Sequence, residues 1–187
     1  MLEVNVERIR EYNLLEDKKV IIGINIAALP LFLLGILIFR GLSIQDSINL
    51  YPESLAQYFI NALIFLACYF AVIIIHELIH GLFFKVFSET GKVTFGFKNG
   101  MAYATNPGSK YTWWQFLIIV LAPCVFISSV LFILYQFTWI NTLFFIAMGS
   151  MHFAGCVGDL WYALLIMKYG NKYYEDTEVG ISIWTKD

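Results

Sequence analysis

Four apolar stretches, at about residues 20–39, 55–87, 113–137 and 142–167, limit what this chain can become. Each is long enough to cross a hydrocarbon core of ~30 Å as a helix, which takes about 20 residues. Backbone inside lipid must satisfy its own hydrogen bonds, so such stretches become helices. Composition points the same way. The chain is 59% hydrophobic and only 14% charged, with a mean hydropathy of +0.71, whereas soluble domains carry about 25% charged residues. A water-soluble core of 187 residues could not hide that much apolar surface. The chain therefore reads as one membrane-embedded domain over residues 1–187, an all-α polytopic protein with four transmembrane helices and a short cytoplasmic β-hairpin. Pro30 sits in the middle of the first span and is expected to kink it. The second span exceeds one crossing, so it is tilted or projects beyond the bilayer.

The segments between the spans have rhythms of their own. In residues 1–19, Leu2, Val6 and Ile9 fall at helical spacing, which predicts a short helix on the membrane surface. No cleavable signal sequence is expected there, since the following apolar run is too long and lacks a convincing small-residue cleavage site. Residues 40–54 read as a polar loop. Apolar residues then alternate through Lys92-Val93-Thr94-Phe95-Gly96-Phe97, a strand pattern, and Asn99-Gly100 is a strong hairpin-turn signal. Residues 91–105 are thus the β-hairpin, between spans two and three. Trp113 and Trp114 open the third span as an interfacial belt. Gly149, Ala154, Gly155 and Gly158 in the fourth let helices approach closely. In the polar tail, Ile181-Ser182-Ile183-Trp184 has the pattern of a short strand. Cys68, Cys124 and Cys156 lie in apolar stretches and form neither a disulfide framework nor a C-x-x-C motif, which makes them packing residues.

Four spans put both termini and the hairpin on one side. Of the 12 Lys and Arg residues, only Arg40 then falls on the other side. The positive-inside rule makes the crowded side cytoplasmic. The expected location is the cell membrane, multi-pass, with both termini cytoplasmic. A net charge of −2 without a basic run excludes nucleic acid as a natural partner.

Inside the second span, where charge is expensive, stands His76-Glu77-Leu78-Ile79-His80-Gly81. Residues four apart share a helix face, so His76 and His80 can grip one metal ion from the same side. Glu77 then comes within reach of a water at the ion's open position. Imidazole suits zinc, and a catalytic zinc needs a third protein ligand. Between Thr90 and Tyr174 the only acidic residue is Asp159, in the fourth span. At ~1.5 Å per residue, Asp159 and His80 lie at similar depth from the cytoplasmic ends of their spans. An acid at that depth is costly without a partner, and a metal is a natural one. His152, seven residues before Asp159, shares its helix face. It is a supporting partner of the site, a hydrogen-bond donor to the transition state, an alternative ligand or a packing residue.

With these residues the chain resembles the small bacterial membrane proteins grouped as zincin peptidases of unknown function, and more distantly the site-2 protease family of intramembrane metalloproteases. The matching residues are His76-Glu77-Leu78-Ile79-His80-Gly81, Gly158-Asp159 in a later span, and Leu121-Ala122-Pro123, similar to that family's Gly-Pro element. Two departures stand out: the usual Asp-Gly pair is here Asp159-Leu160, and no Asn follows soon after Pro123. The resemblance covers about residues 55–168. It implies Zn2+ as cofactor, Glu77 as base, and His76, His80 and Asp159 as ligands.

The function expected is zinc-dependent endopeptidase action on a membrane protein or peptide substrate, within the lipid bilayer near the cytoplasmic face. Glu77 would take a proton from the attacking water and pass it to the leaving amine. The hairpin would offer an edge strand to an unwound substrate. A metal-binding membrane transporter is the first alternative, but the outer halves of the spans lack ionisable groups. A di-iron oxidase needs a second Glu-x-x-His, which is missing. A catalytically silent membrane adaptor is the third, and intact Glu77 argues against it. Oligomeric state has no signature in the sequence.

Overall fold

A computed structural model describes residues 7–14, 16–43, 54–88, 92–98, 100–177 and 179–185. The chain forms five helices and six strands in these residues. The helix starts follow local chemistry. α1 (Lys18–Leu42) begins where the Asp17 side chain accepts from the Lys19 amide at 2.9 Å. α2 (Leu55–Phe87) begins at Ser54, whose hydroxyl accepts from the Gln57 amide. α3 (Trp113–Gln136) opens with the Gln115 side chain accepting from the Thr112 amide and hydroxyl at 2.9 and 2.7 Å. Such caps satisfy backbone donors that the first helical turn leaves free.

Two expectations change here. The fourth apolar stretch is not one helix. It divides at Cys156 into α4 (Thr142–Gly155) and α5 (Val157–Tyr169), bent by 48°. α1, α2 and α3 are each long and apolar enough to cross a membrane, and α4 with α5 meets the same test as one bent span. The amino-terminal segment is not a surface helix either: Arg8–Asn13 is a strand, β1. Its residues pair with the tail, and those interstrand bonds outweigh a weak helical periodicity. Leu2 and Val6 lie outside the described residues, as do 44–53 of the polar loop.

β2 (Thr94–Lys98) and β3 (Met101–Thr105) form the expected antiparallel hairpin, with Gly100 at φ 82° supplying the left-handed turn residue. Gly91 and Asn99 of that reading fall outside the described residues. β4 (Tyr111–Thr112), β5 (Tyr173–Thr177) and β6 (Gly180–Trp184) join β1 in a second antiparallel sheet, ordered β1-β6-β5-β4. The fold is therefore mostly helical with two small sheets, not all-α with one hairpin. The expected strand at Ile181 to Trp184 is present and lies inside that sheet.

Two buried clusters cap the ends of the helix bundle. At the sheet end, Phe116 stacks on Tyr174 (centroids 5.8 Å, planes 11° apart), with Tyr111, Ile181 and Ile183 fully buried around them. At the far end, Tyr135 stacks on Phe145 at 4.5 Å, and Phe39 meets Phe145 edge-on. α1 packs along α4 through Gly35 and Gly149. A Cβ on Gly149 would run into the Phe39 ring, so this glycine allows the close crossing expected of it. Gly155 and Gly158 face nothing closer than ordinary contact distance; they line a cavity instead. α1 runs unbroken through Pro30. The outward faces of α1 and α2 are apolar and bare: Ile26, Leu37, Leu55 and Leu63 are each about two-thirds exposed or more. That is the surface a lipid exterior requires.

Candidate metal centre

His76 and His80 sit on adjacent turns of α2, between the two buried clusters. Asp159 is in the first turn of α5 and His152 in the last turn of α4. The bend at Cys156 lets both face α2. His76 Nε2 and His80 Nε2 are 3.1 Å apart. The Asp159 carboxylate reaches His76 Nε2 with Oδ2 at 3.2 Å and His80 Nε2 with Oδ1 at 3.1 Å. Three donor groups, two imidazoles and one carboxylate, thus close a triangle. Tetrahedral zinc, with bonds of about 2.0–2.1 Å to nitrogen and oxygen, holds its ligands about 3.3 Å apart. The residues fit the ion in donor type, count and spacing.

The two imidazoles are oriented by different means. His80 Nδ1 lies 2.9 Å from the carbonyl oxygen of Ile119 on α3. A carbonyl only accepts, so Nδ1 carries the proton and Nε2 presents its lone pair to the triangle. That carbonyl is available because of Pro123. In a helix the Ile119 oxygen would take the amide of residue 123, and proline has none. Pro123 thereby acquires a physical role that its place in a motif had not disclosed. His76 Nδ1 instead meets His152 Nε2 at 3.3 Å. With His76 Nε2 turned to the triangle, its Nδ1 donates to His152. The His152 Nδ1 is buried without a hydrogen-bond partner.

His152 therefore stands beside the triangle, touching a member of it. Cys156 Sγ lies 3.7 Å from His152 Nε2. Cys156 is buried, as a packing residue is, and lies against the His152 imidazole. His76, His152 and Cys156 make a second set of close donors. It shares His76 with the first, and one imidazole serving both sets would have to surrender both protons. The set containing the Asp159 carboxylate needs no such step.

Glu77 is outside the triangle. It is half-buried in the wall of a cavity of about 790 Å³ that also exposes His76, His80 and Asp159. Its carboxyl accepts the backbone amide of Ala104, which ties it to β3. The hairpin reaches α2 because Gly81 carries no side chain: a Cβ there would collide with the Phe95 ring of β2. Spacing along the sequence could not have disclosed the Ile119 carbonyl or the Ala104 amide, since backbone groups carry no residue signature. Asp176 also lines this cavity and lies two residues beyond Tyr174, outside the stretch in which Asp159 is the sole acid. The period-two pattern of β5 was the available signal, because it puts Asp176 on the same face as buried Tyr174.

A family model described as "Putative zincin peptidase" matches residues 69–174, more than half of the chain. No curated protein and no solved structure matches it.

Proposed function

Since the chain belongs to the zincin peptidase family over a stretch that includes His76, Glu77, His80 and Asp159, we propose that it is a zinc-dependent endopeptidase acting on membrane-anchored substrates near the cytoplasmic face. The observation that carries this reading is the triangle of His76, His80 and Asp159 side chains, whose nearest donor atoms lie 3.1–3.2 Å apart, with Glu77 beside it in one cavity. Zinc held by these three residues would polarise the peptide carbonyl and acidify the attacking water.

The remaining work falls to the chain itself. Glu77 takes the proton of the attacking water and delivers it to the leaving amine nitrogen, completing hydrolysis with no other reactant. His80 is kept in its metal-facing tautomer by the Ile119 carbonyl, and His76 by His152. Substrate arriving as a membrane helix has its carbonyls sealed in its own hydrogen bonds and must unwind before attack. β3 offers it a partner, since the Ala104 amide that now holds Glu77 points toward the cavity and away from β2. The likeness of the quoted motifs to site-2 proteases supports cleavage within the membrane boundary.

The orientation belongs to the same reading. The segments assigned to the cytoplasm by charge are joined to one another: β1 pairs with β6 of the tail, β4 pairs with β5, and Lys98 of the hairpin bonds Glu16 at 2.7 Å. That union supports a common side for all of them.

The test compares membrane proteomes of cells carrying the wild type with those carrying Glu77→Gln. The expected result is a membrane-protein fragment present only with the wild type, while both purified proteins hold one zinc. Identical proteomes and no zinc-dependent cleavage by the purified protein would overturn the reading.

A further inference from the structure

We propose that Asp176 is a subsite for a basic side chain of the substrate, so that cleavage falls within one or two residues of a lysine or arginine flanking a substrate's membrane span. This rests on the peptidase reading and adds a substrate class to it. Asp176 is 7% exposed and stands in the wall of the cavity that holds the metal triangle. Among the described residues, three carboxyls line that cavity and no lysine or arginine does. Asp159 is committed to His76 and His80, and Glu77 holds the Ala104 amide. Asp176 alone is left without an assignment.

Its surroundings leave it short of partners. Among the described residues no cationic group lies within ion-pairing distance of it. Its polar partner is the Thr105 side chain. The Thr105 hydroxyl also reaches the carbonyl oxygens of Thr177 at 3.1 Å and of Asp176 at 3.5 Å, and one proton cannot serve every acceptor. The ionisable groups that act on it are Glu77 and His80 of α2, Asp159 and Tyr162 of α5, and Tyr111 of β4. Apart from His80, none of these can be cationic. A buried carboxylate without a counter-charge is costly, and burial pushes Asp176 up to about 8. An incoming ammonium or guanidinium supplies the missing charge and shifts the carboxyl back to its ionised form.

The geometry also sets the distance from the cut. Glu77 faces Ala104, and Asp176 adjoins Thr105, whose hydroxyl reaches the Asp176 carbonyl; Ala104 and Thr105 are consecutive residues of β3. One strand residue spans about 3.3 Å, so a substrate lying along β3 brings the base and the Asp176 subsite to neighbouring residues. Membrane spans carry lysine and arginine at their cytoplasmic ends, so the required side chain is present where the cavity would meet it.

The experiment uses the zinc-loaded full chain in lipid nanodiscs and synthetic peptides with an apolar span of about 20 residues. In the flank, a single lysine, norleucine or glutamate is stepped through successive positions. The expected result is a kcat/KM about tenfold or more higher for lysine than for norleucine at one position near the cut. That ratio should collapse toward one in Asp176→Asn and shift toward glutamate in Asp176→Lys. Zinc content and thermal unfolding of each variant monitor folding, and neither would produce a change in ratio. In parallel, fluorescence anisotropy measures binding of the same peptides to Glu77→Gln and to Glu77→Gln/Asp176→Asn. Lysine-selective binding that requires Asp176, without cleavage by any form, would uphold the subsite and sink the peptidase reading. Cleavage with the same lysine ratio in wild type and Asp176→Asn would overturn the subsite and leave the peptidase reading standing. Neither cleavage nor selective binding would overturn both.

Discussion

The α2 half of the candidate metal centre and the α4–α5 half are built by opposite means. On α2, His76, Glu77 and His80 lie within five residues of one unbroken 33-residue helix. Helical geometry alone puts both imidazoles on one face. On the other side, His152 and Asp159 belong to two helices that meet at 48°. Seven residues on a straight helix would stack them two turns apart, about 10 Å along the axis. The bend at Cys156 lets one touch Nδ1 of His76 and the other its Nε2. A continuous helix makes a motif visible; a broken one makes the partner that completes it.

That difference is most exposed by removing one residue from each half. Asp159→Ala should lose both zinc and hydrolysis, whereas Glu77→Gln should keep stoichiometric zinc and lose about 10²–10⁴-fold in turnover. Metal analysis of the purified variants, together with peptide cleavage, checks this. If Asp159→Ala retained zinc while His152→Ala lost it, the assignment of the two residues on the bent half would be reversed.

A smaller effect is expected where the two histidines are supported. His152→Ala should weaken zinc affinity or activity by about 10–100-fold, the usual scale for a residue that orients a ligand. Pro123→Ala restores an amide that competes for the Ile119 carbonyl, so it should loosen His80 in the same direction but by less. Zinc competition with a chelator of known affinity ranks the two. Equal affinity of Pro123→Ala and wild type would mean that the Ile119 carbonyl is not what holds His80.

Packing between the helices gives a more modest number. Gly149→Ala places a methyl group against the Phe39 ring and should cost about 1–3 kcal/mol. Gly155→Ala faces open space and should be near neutral apart from any effect on the cavity. Thermal unfolding in detergent compares them directly.

A separate effect is a pH dependence from Asp176. Its folded pKa, about 8, stands above the ordinary value of about 4 for an unfolded aspartate. Between about pH 4 and 8 the folded protein therefore holds a proton that the unfolded chain has released. Its contribution to stability is fully present below that window and declines as pH rises through it. Asp176→Asn cannot ionise and should escape the decline, so the melting temperatures of wild type and variant should diverge as pH rises toward 8. Parallel curves would show that Asp176 is ionised and already paired in the folded state.

What the sequence determined by itself follows from local rules. Apolar length decides where helices long and apolar enough to cross a membrane form. The i, i+4 spacing of His76 and His80 follows from the helical repeat, and the hairpin from alternation before Asn99-Gly100. Asp159 could be singled out because it is the only acid between Thr90 and Tyr174. The tertiary structure decided the rest. β1 is a strand because β6, more than 160 residues later, pairs with it, and no local periodicity encodes that partnership. The break at Cys156 divides an apolar run whose composition is that of one helix. The position of Asp176 in the cavity depends on β5 folding back beside β3 and α2. Such contacts join residues far apart along the chain, and their free energy exists only once the packed structure brings them together.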